Sequence, residues 1–291
     1  MNKNVSKSLK PYILLMPILA MLIGIFLYGL LSGILQSLGY VPQIGMTEFS
    51  FHYYEEVLSS KEFLESLIFS LRTSFLAAII SIVIGVLLSY TFVFNKKTNL
   101  FIESYQLPFM VPPTVAAILI IMLLGQSGYI SRILYHFGFI TEMSEFPTMI
   151  YDELGIGVMF SYVWKGVAFI TLVTHKPLKG IYQKYAKISG NLGASKWQTF
   201  WYVILPQLMP TLVTSFIINF AFAFGSFEVP YLLGASTPKA LPVLSYIYYN
   251  NVDLTQRPYA MVINSIIIFV ALVLLVVYLS ATKLTKKYES K

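Results

Sequence analysis

Six stretches of the chain are apolar over a length that would cross a membrane. A helix needs about 20 apolar residues to span the hydrocarbon core of a bilayer. The runs are continuous rather than alternating, which favours helices over the strands of a membrane barrel. The pattern predicts an all-α polytopic membrane protein with six transmembrane helices, at residues 12–35, 67–94, 101–124, 154–174, 212–233 and 259–281.

Charged residues between these runs alternate in sign along the chain. Lysines cluster before the first run, between the second and third, between the fourth and fifth, and after the sixth. The remaining connections are acidic or mixed. Because cytoplasmic loops carry an excess of Lys and Arg, this alternation predicts that both termini are cytoplasmic, as six crossings require.

Composition points to lipid as the solvent for most of the chain. Of the 291 residues, 57% are hydrophobic and 11% are charged, whereas soluble domains carry about 25% charged residues. The mean hydropathy is +0.71. The net charge of +7 comes from loop lysines and is interpreted as a topology signal, so no nucleic-acid partner is expected. The chain has no cysteine, which excludes disulfides and thiol catalysis.

A single transmembrane domain, residues 1–291, is predicted. The longest predicted cytoplasmic segment, residues 176–210, is too short to bind and hydrolyse ATP, and no phosphate-binding P-loop pattern occurs in the sequence. No His-x-x-x-His pair or acidic cluster indicates a metal site. The chain is therefore not expected to be an enzyme or to hold a cofactor of its own.

The segment 176–210 is predicted to form two short helices around a glycine turn. Gly193 permits a backbone conformation that other residues resist. Ser195 is the expected N-cap of the second helix, and Pro206 and Pro210 are expected to interrupt that helix before the fifth span. A small basic and aromatic protrusion of this kind suits docking to a partner protein.

The same segment resembles the "EAA" loop of binding-protein-dependent ABC transporter permeases. The family pattern is Glu-Ala-Ala, a glycine, and then an aliphatic residue shortly before Leu-Pro. The positions similar to the family are Gly193, Ala194, Ser195, Gln198, Phe200, Val203, Leu205 and Pro206. The chain departs from the family at Lys187-Ile188-Ser189, which stands where Glu-Ala-Ala is usual. That Glu is thought to face basic residues of the ATPase, so its role is not carried over to Lys187.

The resemblance covers about four of the six spans. It includes Leu107-Pro108, Pro112, Pro113 and Trp164. The later stretches Phe227-Glu228-Val229-Pro230, Leu233-Gly234 and Ala240-Leu241-Pro242-Val243-Leu244 look most like the spermidine/putrescine branch of the family.

The resemblance implies a type I, MetI-like, importer permease of a bacterial inner membrane. It implies a second permease subunit, equal or different, two ATPase subunits that bind ATP and Mg, and an extracellular solute-binding protein. The loop 187–206 would dock to the ATPase and move with it, so that the membrane helices switch access between the two sides. A polyamine or another small organic cation is the expected solute.

Two ionisable residues fall within predicted spans, and such residues usually mark function. Lys165 lies near the middle of the fourth span and Glu228 toward the outer end of the fifth. One alternative is structural: Lys165 and Glu228 form an ion pair, or each is solvated separately by an aqueous cavity. The other alternative is functional: Glu228 lines the translocation path and meets a cationic solute. Asn219 and Trp164 are further path candidates, although Asn219 is equally suited to bonding between helices.

Small residues recur every four positions on the second span, at Ala77, Ser81, Gly85 and Ser89. This pattern predicts a face for close helix packing rather than a binding site.

Two other function classes agree less well with the sequence. An ion-coupled secondary carrier usually shows internal repeats, and none is found here, although Glu228 would be its coupling carboxylate. An intramembrane serine protease would use the Gly-x-Ser-Gly sequence of Gly125–Gly128, but its serine needs a nearby His base. No span after that serine supplies a well-placed His, so Gly125–Gly128 is predicted to be a helix-ending turn.

Overall fold

A computed structural model describes residues 3–94 and 107–289, with side chains described over 14–94 and 107–280. In this part of the chain the backbone forms α-helices and short turns, and no β-strand. The helices are α1 (Lys3–Ser37), α2 (His52–Ser59), α3 (Lys61–Phe94), α4 (Leu107–Met110), α5 (Pro113–Leu124), α6 (Tyr129–His136), α7 (Ile156–Asn191), α8 (Lys196–Thr199), α9 (Leu205–Phe224), α10 (Glu228–Leu233), α11 (Leu241–Tyr249) and α12 (Arg257–Glu289).

Six helical segments of the described residues are long and apolar enough to cross a membrane, which confirms the predicted number. They are Leu14–Ser37, Lys61–Phe94, Pro113–His136, Ile156–Asn191, Lys196–Phe224 and Leu254–Ser280. The third joins α5 to α6 through the Gly125–Gly128 turn, where the Gly125 amide donates to the Ile121 carbonyl at 2.9 Å. Residues 101–106 of the predicted third span lie outside the described residues.

The fifth span ends earlier than predicted. Helix α9 stops at Phe224, and a separate short helix, α10, begins at Glu228. Pro230 accounts for the break, because a proline has no amide hydrogen and is tolerated in the first turn of a helix but not in its interior. Glu228 therefore lies at the start of a new helix rather than within the fifth span.

The two prolines predicted to interrupt the helix after Ser195 do not end it. The helical path continues from Lys196 to Phe224. The prediction is wrong for Pro210, which lies inside α9, whereas the regular α-helix is interrupted just before Pro206. Residues Phe200–Ile204 form a π-helical turn in which the Leu205 amide donates to the Phe200 carbonyl. This wider turn places Pro206 at the beginning of α9, where its missing amide hydrogen is tolerated.

Helices α3 and α7 pack closely through the predicted small-residue face. Ala77, Ser81, Gly85 and Ser89 are all buried. A Cβ atom added to Gly85 would lie 2.7 Å from Ile170 of α7. The prediction of a packing face is confirmed.

The structure groups the chain into two compact units, and the single transmembrane domain stays a prediction. The smaller unit comprises 1–60 with 245–266, and the larger comprises 61–244 with 267–291. Within the smaller unit the Ser245 hydroxyl donates to Asn264 at 2.8 Å, which joins α11 to α12. The larger unit holds all the residues of the 187–206 loop and the candidates at membrane depth.

Candidate functional site

The chain leaves α7 through a glycine turn in the left-handed conformation. Gly193 has φ +82°, and its amide donates to the Gly190 carbonyl at 3.0 Å. The next amide, of Ala194, donates to the Ser189 carbonyl at 3.0 Å. This pair of bonds is the Schellman arrangement, which satisfies carbonyls that a helix end leaves free. The glycine turn predicted at Gly193 is confirmed.

A reciprocal capping box starts the next helix. The Gln198 amide donates to the Ser195 hydroxyl oxygen at 3.2 Å, and the Ser195 amide donates to the Gln198 side-chain oxygen at 2.8 Å. Both bonds satisfy amide hydrogens that a helix start leaves free. The prediction of Ser195 as N-cap is confirmed, and Gln198 gains a structural role that the sequence did not assign.

A buried hydroxyl pair joins the two sides of the loop. Thr199 donates from its hydroxyl to the Ser189 hydroxyl at 3.0 Å, and Ser189 donates to the Ala186 carbonyl at 3.1 Å. Both side chains are buried. Sequence reasoning treated Ser189 only as a departure from the family pattern and missed this bond, because its partner lies ten positions away.

An apolar cluster attaches the loop to α3, α7 and α9. Phe200 is buried in it, with its ring centroid 4.8 Å from that of Tyr90 in an edge-on arrangement. Leu205 packs against the cluster, and Pro206 is exposed. The buried members are Val86, Ile170, Leu178, Phe200, Ile204, Leu208 and Leu212.

The tip of the loop presents aromatic side chains to the outside. Trp197 is 65% exposed and Tyr202 is 80% exposed. Trp197 stacks on Phe200 with ring centroids 6.2 Å apart and also meets the ring of Trp201 at 5.5 Å. Exposed apolar surface supported by a rigid base is typical of an interaction site.

Lys165 is buried on α7 and bonds to backbone rather than to a carboxylate. Its ammonium donates to the Val111 carbonyl at 2.6 Å. Val111 lies between α4 and α5, where Pro112 and Pro113 leave carbonyls without helical partners. The bond thus holds the entry to α5 against α7.

Glu228 is exposed at the first position of α10, and its carboxylate accepts a hydrogen bond from the Thr114 hydroxyl at 3.0 Å. Among the described residues no ion pair within 4.0 Å joins Glu228 to Lys165. Lys165 instead binds Val111, just before α5, and Glu228 binds Thr114, in the first turn of α5. The close ion pair is one of the predicted alternatives, and the structure does not form it.

The other two path candidates lie in separate surroundings. Asn219 is buried, and a Cβ atom added to Gly166 of α7 would lie 2.6 Å from its side-chain nitrogen. That proximity indicates close contact between α7 and α9. Trp164 lines an apolar cavity of about 470 Å³ with Leu123 and Phe160. Among the residues searched, no group of three His, Asp or Glu side chains could hold a metal ion.

The structure of the 187–206 loop agrees with the family that the chain matches. Residues 81–289 match the model of a family described as the inner membrane component of binding-protein-dependent transport systems. This match covers more than half of the 291 residues. The chain belongs to this family. The permease is therefore a multi-pass protein of the inner membrane, and it is a transport subunit of an ABC importer and not an enzyme.

Curated relatives of the permease are transport permeases as well. It is 25% identical to the sulfate transport system permease protein CysT of Escherichia coli, over 79% of this chain and 80% of the relative. It is 29% identical to the ferric transport system permease protein FbpB of Actinobacillus pleuropneumoniae, over 60% of this chain and 24% of that one. Neither name mentions a polyamine, so these relatives do not support the predicted spermidine/putrescine branch.

A solved structure shares the fold of the permease. It is a bacterial alginate ABC transporter in complex with an alginate pentasaccharide-bound periplasmic protein. The TM-score is 0.75 at 20% identity, and the alignment covers 98% of this chain and 97% of the other. The predicted importer permease fold is confirmed, and the alternative of a secondary carrier receives no support.

Proposed function

We propose that the permease forms half of the translocation path for a small solute and is coupled to a separate ATPase through the 187–206 loop. The observation that carries this proposal is the construction of the loop. Its base is fixed in the apolar cluster around Phe200 and Ile204, while its aromatic tip is exposed. A rigid protrusion with an exposed aromatic tip can bind a partner protein and transmit that partner's movement to the helices at its base.

Movement of the tip would reach the membrane helices through the cluster. Val86 of α3, Ile170 of α7 and Leu212 of α9 all belong to it. Packed cores transmit displacement because they have few voids to absorb it. An ATPase that closes on ATP would therefore shift three spans together, as two-state switching of access requires.

The partners follow from the same proposal. The permease would pair with a second permease subunit, equal or different, and with two ATPase subunits that bind ATP and Mg. A solute-binding protein would deliver the solute, and the family name and the periplasmic protein in the structural relative support this. Both chain ends would lie on the ATPase side, because both ends and the 176–210 segment are rich in Lys and cytoplasmic segments carry an excess of Lys and Arg.

A substitution pair at Gly193 tests the coupling role. No atom lies within 4 Å of a Cβ added there, so a side chain would cause backbone strain alone. Gly193→Val should strain the left-handed backbone, whereas Gly193→Asn should be tolerated because Asn adopts that conformation more readily. The measurement is affinity purification of the permease from its native membrane, followed by mass spectrometry and an ATPase assay.

Recovery of an ATPase with the unchanged chain and with Gly193→Asn, and its loss with Gly193→Val, would support the proposal. A permease that purifies without any ATPase and still moves solute on an ion gradient would end it.

For the solute, we propose a small inorganic ion, with sulfate and ferric iron to be tried first. The named relatives transport these, and the polyamine expectation rests on Glu228 and a short sequence resemblance. Uptake of labelled sulfate, ferric iron and putrescine by cells with and without the permease would decide between them. Putrescine uptake that depends on the permease would restore the original expectation.

A further inference from the structure

The last part of α7 carries lysines on one face. Lys176, Lys179, Lys184 and Lys187 are all exposed. At 3.6 residues per turn they fall within an arc of about 140°, and at a rise of 1.5 Å per residue the stripe is about 16 Å long. The stripe points along the helix toward the exposed tip of the 187–206 loop.

Among the residues whose side chains are described, no acidic side chain forms an ion pair with this stripe. The sequence has no Asp or Glu between Glu153 and Glu228. Lys184 lies 5.0 Å from the ring centroid of Tyr185, and none of the four lysines forms an ion pair among the described residues. Lys196, beside Trp197 at the loop tip, is exposed as well. The end of the protrusion is therefore basic as well as aromatic.

We propose that the ATPase surface receiving this loop is acidic, and that Lys184 and Lys187 are the residues it recognises. This inference rests on the proposed coupling function and adds the chemistry of the partner. Lys187 stands at the position where the resembled family has Glu, so the charge of this contact is reversed. An acidic groove would accept this permease and repel one with the usual Glu, which gives the pair specificity.

The position of each lysine along the stripe indicates whether it interacts with membrane lipid or with an ATPase partner. Lys176 and Lys179 directly follow the predicted fourth span, where anionic headgroups attract basic side chains. Counted at the same rise from residue 174, where the predicted fourth span ends, Lys176 and Lys179 lie about 3 to 8 Å along the helix, whereas Lys184 and Lys187 lie about 15 to 20 Å along it. The distance of the second pair exceeds the Debye length of about 8–10 Å at physiological salt. Membrane charge therefore acts mainly on the first pair, and the second pair is free for a partner protein.

Matched charge reversals test the inference on the purified native complex. The test variant is Lys184→Glu with Lys187→Glu, and the control is Lys176→Glu with Lys179→Glu, which makes the same change in net charge on the same helix face. A milder variant, Lys184→Gln with Lys187→Gln, removes the two charges without reversing them, and it keeps the test valid if the charge-reversal variant misfolds. The readout is the amount of ATPase retained at low salt and at about 1 M KCl, where the Debye length is about 3 Å.

The unchanged permease should release ATPase as salt is raised. The Lys184 and Lys187 reversal should retain about ten-fold less at low salt, the size expected when two exposed charge pairs are replaced by repulsion. The Gln variant should fall between them, and the control should behave like the unchanged chain.

Equal ATPase retention in the test variant and the unchanged chain would overturn the inference while leaving the coupling role intact. So would an equal loss in the control, since the effect would then belong to membrane charge. Failure to recover any ATPase with the unchanged permease would overturn the coupling role itself, and the inference with it.

Discussion

The hydroxyl of Thr199 donates a hydrogen bond to the hydroxyl of Ser189 at 3.0 Å, and this bond closes the 187–206 loop on the end of α7. Both side chains are buried, so water does not compete for the bond. The glycine turn and the capping box lie between them in sequence. The bond therefore makes the tip and the helix end one rigid piece.

Thr199→Val, which keeps the shape of the side chain and removes its hydroxyl, should lower the free energy of unfolding by about 0.5–1.5 kcal/mol. Thermal unfolding of the purified permease measures this. Ser189→Ala and the double variant complete a cycle in which the two effects should not be additive. Additive effects would show that the two hydroxyls do not depend on each other.

Gly166→Ala should destabilise the permease by about 1–3 kcal/mol through overpacking. An added Cβ would overlap the Ser81 hydroxyl and lie 2.6 Å from the Asn219 side-chain nitrogen, so α3, α7 and α9 would have to separate. Gly190→Ala is the matched control on the same helix, because no atom lies within 4 Å of its added Cβ. A melting temperature lowered equally by both changes would contradict the close packing at Gly166.

Glu228→Gln should affect transport in a direction that depends on the charge of the solute. The carboxylate is exposed and accepts one hydrogen bond, from Thr114, so the amide can keep that bond while losing the charge. Uptake of a cation should fall several-fold and uptake of sulfate should stay equal or rise, since opposite charges attract and like charges repel. Thr114→Val, which leaves the charge in place, is the control. Unchanged uptake of a solute identified as a cation would remove Glu228 from the path.

Glu145 is expected to protonate at lower pH than an ordinary glutamate. The amide of Thr141 donates to its carboxylate at 2.6 Å and the Thr141 hydroxyl at 2.9 Å, and these bonds, the backbone one first, lower the pKa of Glu145. The turn is therefore fully stabilised above the ordinary pKa of a glutamate and loses that stabilisation as the pH falls through the lowered value. Titration of the labelled Glu145 carboxyl carbon by NMR measures the midpoint, which Thr141→Val should raise. A midpoint at the ordinary value would contradict the bonding.

Several local features of the loop were predictable because they depend on neighbouring residues. Gly193 and Ser195 took their expected conformations, since glycine turns and N-caps are decided within a few positions of the chain. The partners of Ser189, Lys165 and Glu228 could not be predicted in this way. Each bond joins residues between 10 and 114 positions apart, and only the packing of helices brings them together.

The sequence by itself determined that this protein lies in a lipid bilayer, how many spans it has and which family it belongs to. Hydrophobic length and the spacing of Gly193 and Leu205-Pro206 are properties of the linear chain, and the transfer of apolar side chains into lipid does not depend on which helix neighbours which. Only the tertiary structure decided which groups Lys165 and Glu228 bind near the start of α5 and the bond between Thr199 and Ser189. These bonds depend on which backbone carbonyls and hydroxyls come close together once α3, α5, α7 and α9 have packed, because a buried polar group left without a partner is costly.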